Sequence, residues 1–307
     1  MDIGWSCVAP NVTGFFLILC GLSVCVGKVL ASTMPVTREA SVRQRRNVVS
    51  YILGLVVKTV SFAMTLGAGA PLIFLDEPLN DANMRICMAG GFLMISTFYT
   101  WEIVYRIDMD MMLIVHHVST LALVILCAVG SFALERNEIL LPHSDGKRHA
   151  IEVGRRLVFR ITLIELLAAA TNQPVLIALL LHRAKFSASR HAFIAAAAWE
   201  GISKNLRFLI VVILYCVGAF MPTISDHCDD IQWCWQLRIA YPLLAILIWM
   251  SNMHMVSVLW SLAKRRSHHQ LKGEAASERE DIEAASESKV CVDASDCSSF
   301  ATEEVFN

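Results

Sequence analysis

Apolar runs long enough to cross a bilayer dominate this sequence. A transmembrane helix needs about 20 mainly apolar residues. Seven stretches reach that length: 12–31, 48–75, 84–107, 109–133, 157–182, 199–221 and 237–263. Hydrophobic residues make up 56% of the 307-residue chain and charged residues only 17%, which is less charge than a soluble domain usually carries. We therefore predict an all-α polytopic membrane protein with about seven transmembrane helices.

The loops between these runs predict an orientation. Lys and Arg concentrate in 32–47, in 183–190 and at 264–266, directly after the last run. The connections 76–83 and 222–236 contain acidic residues and no Lys or Arg. Because basic loops stay on the cytosolic side, seven helices place the N-terminus outside or in a lumen and the C-terminus in the cytosol.

Segments outside the apolar runs predict further features. Val29-Leu30-Ala31 resembles a signal-peptide cleavage site, but the residues before the first run are not basic, so we predict an uncleaved helix. Residues 266–307 are rich in Glu, Asp, Ser and Ala, which predicts a disordered acidic cytosolic tail. Cys228 and Cys234 share one short polar loop and are a disulfide candidate if that loop faces an oxidising compartment.

Polar side chains inside the predicted spans share one depth. Such groups are costly in hydrocarbon and point to function, although many of them only form hydrogen bonds between helices. At a rise of about 1.5 Å per residue, six spans place a polar group in the third nearest the cytosol. These groups are Lys58, Glu102, His116 with His117, Asn172, Lys204, and Asn252 with His254. Glu165 lies one heptad before Asn172 on the same helix face, and Glu200 and Lys204 form an i,i+4 pair that can be purely structural.

The prediction about chemistry rests on the adjacent residues His116 and His117. Neighbouring residues on a helix point about 100° apart, which disfavours a shared metal ion, and we predict no metal site. A histidine beside a carboxylate or amide can instead act as general base or nucleophile in acyl transfer. Asp110, seven residues before His117, lies on the same helix face and is the candidate orienting group.

These residues resemble the TLC-domain family, which includes the ceramide synthases. One matching feature is the paired His116-His117 within a span. A second is Glu165 followed by small residues and then Asn172-Gln173 in the next span. The third is a single helix in 1–44 followed by six predicted spans in 45–265.

The resemblance implies a six-helix, barrel-like bundle that encloses a lipid-accessible cavity, in the endoplasmic reticulum or a related membrane. Glu165 and Asn172 would line that cavity. In ceramide synthases the paired histidines are needed to transfer an acyl group from acyl-CoA to a sphingoid base. By motif match this role would belong to His116 and His117.

The sequence departs from the ceramide synthases in two places. Their acidic series after the histidines is replaced by VSTLALVILCAVGSFALERN, and their Ser-Thr-Pro is replaced by Ala168-Ala169-Ala170. The chain therefore resembles the broader group of TLC-domain membrane proteins more than the ceramide synthases themselves.

The favoured prediction is a membrane protein that binds or regulates long-chain lipids, such as a sphingoid base or a phospholipid, without a resident cofactor. A ceramide-synthase-type acyltransferase is the first alternative, with acyl-CoA as co-substrate and Lys58, Lys204 and Arg207 on its phosphates or on a lipid head group. A seven-helix receptor is the second. A net charge of −1 gives no signature for nucleic acid. Predicted catalytic residues are His116 and His117, and predicted lipid-binding or cavity residues are Glu165, Asn172, Glu102, Lys58, Lys204, Asn252 and His254.

Overall fold

Helices account for all the regular structure that is described. The computed structural model describes residues 5–33, 40–107, 109–140, 145–184, 186, 189–219 and 239–265, with side chains except at 5–9, 127–140, 145–151 and 218–219. Within these ranges no strand occurs, which confirms the all-α prediction there. The helices are α1 (Trp5–Thr33), α2 (Val42–Leu75), α3 (Asp81–Tyr105), α4 (Met111–Leu140), α5 (Asp145–Ala170), α6 (Gln173–Arg183), α7 (Ser189–Ala219) and α8 (Ile239–Arg265).

Several of these helices have the length and composition of membrane spans. Five stretches qualify: Pro10–Thr33, Val42–Leu75, Asp81–Tyr105, Glu152–Arg183 and Ile239–Arg265. This is the pattern of an integral membrane protein. The side chains of α4 are described only as far as Leu126, and α7 carries Glu200, Lys204 and Arg207 in its middle. Crossings by α4 and α7, and therefore the total of seven, stay predictions.

Both ends of α2 are fixed by side chains. At its start, Ser41 Oγ accepts a hydrogen bond from the Gln44 amide, and Gln44 Oε1 accepts one from the Ser41 amide, which is a capping box. At its end, Asp76 adopts a left-handed φ of 58°. Arg160 of α5 donates to the Ile73 carbonyl from Nε and Nη2 and pairs with Asp76 at 3.2 Å. These contacts hold the end of α2 against α5.

A π-helical segment in α3, Met88–Leu93, lets α3 pack closely on α2. A Cβ added at Gly90 would lie 2.5 Å from the Met64 Cβ, so only glycine fits there without displacing α2. Ser61 Oγ donates to the Gly90 carbonyl at 2.6 Å. The contact fixes the depth of α3 relative to α2, and with it the position of the side chains on the last turns of α3.

The predicted span 157–182 is interrupted in the structure. α5 ends at Ala170 and α6 starts at Gln173, with Asn172 as its N-cap residue and a proline in its first turn. Pro174 has no amide hydrogen and clashes with the carbonyl four residues earlier, which ends the preceding helix. The interruption places Asn172 on a short non-helical link between α5 and α6.

Two apolar clusters hold the helices together. The larger one joins α1, α2, α3 and α5 and includes Leu19, Phe98 and Leu163, all of them buried. The smaller one joins α4, α5, α7 and α8 through residues such as Val211 and Ile248. Other large apolar side chains, such as Leu17, Val104 and Ile202, are exposed on the helices, as expected of a surface that contacts a membrane.

The chain forms two compact units, 1–260 and 261–307. Of the second unit only 261–265, the end of α8, is described. The predicted tail 266–307 and the disulfide candidates Cys228 and Cys234 lie outside the described residues. Both predictions stay open.

Candidate functional site

A cavity of about 240 Å³ lies among the helices that follow α1. α2, α3, α4, α6, α7 and α8 and the adjoining links all contribute to its lining. Seven of the nine side chains that the sequence singled out for catalysis or lipid binding line it. They are Lys58, Glu102, His116, His117, Asn172, Asn252 and His254. Glu165 and Lys204 do not belong to the lining.

Glu102 connects α2, α3 and α4 at the cavity lining. Its Oε2 lies 2.9 Å from His117 Nε2, and its Oε1 accepts from Ser50 Oγ at 2.6 Å and from Arg106 Nη1 at 2.9 Å. Arg106 in turn donates to Asn47 Oδ1 at 3.1 Å. Glu102 therefore acts as a charged acceptor that fixes His117 in one orientation.

The sequence assigned that orienting role to Asp110, and this was wrong. Asp110 Oδ1 accepts a hydrogen bond from the Met112 amide at 2.8 Å and so caps the first turn of α4. The same carboxylate lies 3.9 Å from His254 Nε2, and both side chains are largely exposed. Asp110 and His254 thus lie at the exposed margin of the cavity, while His117 is buried.

His116 is held from the opposite side by α8. Its Nδ1 lies 3.2 Å from Ser251 Oγ, and that hydroxyl donates its hydrogen to the Ile248 carbonyl at 2.8 Å. With the Ser251 hydrogen directed at the Ile248 carbonyl, His116 Nδ1 is the donor of the first bond. A neutral His116 then carries its lone pair on Nε2, which is buried and has no hydrogen-bond partner among the described residues.

The same argument assigns the tautomer of His117. The ionised Glu102 carboxylate accepts, so His117 Nε2 donates, and a neutral ring carries its lone pair on Nδ1. That atom is also buried without a partner in the described part of the chain. The two rings lie 5.6 Å apart and each presents an unused basic nitrogen. Between them the pair can accept protons or attack an electrophilic carbon.

Lys58 and His117 both contact the ring of Tyr99. The Tyr99 ring stacks on His117 at 4.2 Å with 9° between the planes. Lys58 Nζ lies 5.2 Å from the centroid of that same ring. Lys58 is only 5% exposed and lines the cavity. A buried cation therefore lies next to the histidine pair, separated from it by one aromatic ring.

Lys204 forms hydrogen bonds with the residues at the break between α5 and α6. Its Nζ donates to the Ala168 carbonyl, to Asn172 Oδ1 at 2.6 Å and to Thr171 Oγ1 at 3.3 Å, and lies 3.7 Å from Glu200 Oε2. Its hydrogen-bonding capacity is thus directed at protein atoms. Asn172 itself lines the cavity, so Lys204 fixes a lining residue rather than reaching the cavity.

Glu165 forms a buried ion pair and does not line the cavity. Its Oε2 lies 2.6 Å from Arg207 Nη1, and both side chains are 6% exposed. Asn252, by contrast, lines the cavity, and its Nδ2 has no partner among the described residues. The heptad spacing of Glu165 and Asn172 thus does not bring both to one lining, because the helix is broken between them.

Several members of this network were missed in the sequence. Tyr99 lies three residues before the predicted Glu102 and Arg106 lies four residues after it, which places all three on one side of a helix, so a signal for Tyr99 and Arg106 was available. For Ser50 and Ser251 the sequence offered no such signal, because serine is common within a span and its hydrogen-bond partner is determined by packing.

Comparisons with known proteins do not identify this site. No protein-family model matches the chain, and no curated protein or solved structure shows significant similarity to it. Among the described residues no group of three or more His, Cys, Asp or Glu side chains is arranged to hold a metal ion. The site must therefore be interpreted from its own chemistry.

Proposed function

We propose that this protein binds a long-chain lipid in the cavity between α2 and α8 and acts in membrane lipid homeostasis. The observation that carries the proposal is an amphiphilic cavity inside a bundle of membrane-length helices. One part of its lining is polar and includes Lys58 and His116. Another part is apolar, with Leu176 and Leu179 of α6 and Val258 of α8.

The energetics support an amphiphilic occupant. Charged groups at membrane depth are costly and persist where they line a pathway or bind a ligand. A cavity with an apolar wall and a few convergent polar groups is the usual form of a small-molecule site. A lipid satisfies both parts, since its chain covers the wall while its head group bonds to the polar residues.

Native mass spectrometry of the purified protein tests this proposal. We expect the wild type to carry a co-purified lipid and Leu179→Trp, which fills the cavity, to lose most of it. The matched control is Leu209→Trp on the exposed face of α7, where the side chain is 55% exposed, and it should keep the lipid. A wild type without lipid, or equal occupancy in both variants, would contradict the proposal.

The same proposal extends to family and topology. We propose a TLC-domain-type architecture in the endoplasmic reticulum or a related membrane, with seven spans, a lumenal N-terminus and a cytosolic C-terminus. In support, α2, α3, α4, α6, α7 and α8 all reach the cavity, whereas no lining residue comes from the described part of α1. A glycosylation reporter fused to the C-terminus should stay unmodified, and its glycosylation would overturn the topology.

Acyl transfer is the second candidate, favoured by the two unpartnered histidine nitrogens. In such a step an acceptor N–H or O–H loses its proton to a histidine while its nitrogen or oxygen bonds to the acyl carbon. The acyl–sulfur bond of acyl-CoA breaks, and the histidine returns the proton to the leaving sulfur, so that CoA leaves as the thiol. Wild type, His116→Ala and His117→Ala should be assayed for acyl-CoA consumption with sphingoid and lysolipid acceptors. If no acceptor is turned over while lipid still binds, this candidate is excluded.

A further inference from the structure

Lys58 differs from the other buried cations of the described chain because it lacks a carboxylate partner. Its Nζ lies over the Tyr99 ring, and among the described residues it has no ion pair or hydrogen bond, although Glu102 and Glu200 act on it at longer range. Each buried carboxylate pairs with a different cation. The pairs are Glu102 with Arg106 at 2.9 Å, Glu165 with Arg207 at 2.6 Å, and Glu200 with Lys204 at 3.7 Å.

An unpaired buried ammonium is expensive. The penalty for removing one ion from water is several kcal/mol after relaxation. A cation–π contact such as that between Lys58 and Tyr99 offsets about 0.5–2 kcal/mol of this desolvation penalty. The carboxylates of Glu102 and Glu200 offset part of this cost from beyond ion-pair distance, and a ligand anion in direct contact with Lys58 Nζ would offset more of it.

We propose that Lys58 binds the carboxylate of a single-chain amphiphile, such as a long-chain fatty acid, whose chain lies along the apolar wall. This inference rests on the proposed lipid-binding function and names its ligand class. It assigns the charge of the head group to Lys58, since Lys204 and Arg207 are already paired within the protein.

The charges of the lining favour a carboxylate over a phosphate. Glu102 and Glu200 line the same cavity as Lys58, and each would repel a dianion more strongly than a monoanion. Besides Lys58 Nζ, the lining offers Asn252 Nδ2, which has no acceptor among the described residues. A carboxylate has two acceptor oxygens and can therefore bond to more than one donor of the lining.

The shape of the lining favours a single chain. The apolar side of the lining offers one wall for one chain, formed by Val175, Leu176 and Leu179 of α6 with Met255 and Val258 of α8.

Four amphiphiles with the same saturated chain and different head groups test the inference. They are palmitate, hexadecanol, hexadecylamine and hexadecyl phosphate, titrated into the full-length protein in nanodiscs of phosphatidylcholine. We expect the wild type to bind palmitate at least about tenfold tighter than the other three. Lys58→Met should bring palmitate to the affinity of hexadecanol, because it removes the charge and keeps the length of the side chain.

Two variants separate this effect from a loss of folding. Lys28→Met makes the same change on the exposed face of α1 and should keep the full preference for palmitate. Lys58→Arg keeps the positive charge and should keep a palmitate preference, and a folded Lys58→Arg variant that loses the preference would refute recognition through the charge at this position.

The possible results distinguish the two proposals. A wild type that binds none of the four amphiphiles contradicts the lipid-binding function itself. Equal or tighter binding of the alcohol, the amine or the phosphate refutes the carboxylate assignment and leaves lipid binding intact. A Lys58→Met variant that folds and retains the palmitate preference refutes the role of Lys58.

Discussion

Lys204 Nζ lies 2.6 Å from Asn172 Oδ1, across the point where α5 ends and α6 begins. The same ammonium donates to the Ala168 carbonyl near the end of α5, which also accepts from the Thr171 amide at 3.3 Å and from Thr171 Oγ1 at 2.8 Å. Trp199 Nε1 donates to the neighbouring Thr171 carbonyl at 3.1 Å. α7 thus adds hydrogen bonds at the break, and this keeps Asn172 at the cavity.

Lys204→Met should destabilise the protein by about 3–5 kcal/mol, because it leaves Glu200 buried and unpaired and removes the donor to Ala168. Thermal unfolding in detergent should show a large fall in the midpoint. Lys28→Met, which changes an exposed lysine of α1, should leave the midpoint nearly unchanged. Equal midpoints for the two variants would show that Lys204 does not stabilise the break.

Glu102 and Arg106 should couple strongly in a double-mutant cycle. Their side chains are 7% and 12% exposed and lie 2.9 Å apart. We expect a coupling free energy of about 1–3 kcal/mol for Glu102→Gln with Arg106→Met. The measurement is the change in unfolding free energy of both single variants and the double variant under one detergent condition.

The chain offers a matched control for that cycle. Glu152 and Arg156 form the same i,i+4 pair at 2.7 Å, with side chains 45% and 32% exposed. Their coupling should be no more than about 0.5 kcal/mol, since exposed pairs of this kind contribute little. A coupling at Glu102–Arg106 as small as this one would show that the site does not depend on the buried pair.

Gly90→Ala should disrupt the contact between α2 and α3. The new Cβ would meet the Met64 Cβ at 2.5 Å, and that atom cannot move without its backbone. Gly67→Ala is the control, because a Cβ there meets nothing within 4 Å and alanine favours a helix by up to about 1 kcal/mol. We expect a lower yield of folded protein and a lower unfolding midpoint for Gly90→Ala alone. A wild-type midpoint for that variant would contradict the close packing of the π segment.

The depth of the polar residues could be predicted from the sequence, and their partners could not. Counting residues from the ends of apolar runs placed Lys58, Glu102 and His117 at one level, because the rise of a helix is constant. Depth does not determine which side chains touch. Two carboxylates were possible partners for His117: Asp110 on its own helix, and Glu102 on another helix in the same third of the membrane. Only the packing of α3 on α4 selects Glu102.

The break at Asn172 shows a second limit of the sequence. The heptad between Glu165 and Asn172 predicts a shared face only if the helix is continuous. Pro174 carried the contrary signal, since a proline ends a helix before it. Without that continuity Glu165 pairs with Arg207 while Asn172 lines the cavity.

Tyr99→Phe should leave stability unchanged or raise it by up to about 1 kcal/mol. The Tyr99 hydroxyl is buried without a hydrogen-bond partner among the described residues, and removing such a group relieves a desolvation cost. The phenyl ring keeps both the stacking on His117 and the face below Lys58. Tyr99→Leu removes the ring and should lower the unfolding midpoint markedly. The comparison of the two midpoints is the measurement, and a Tyr99→Phe variant as unstable as Tyr99→Leu would show that the hydroxyl, rather than the ring, holds the site together.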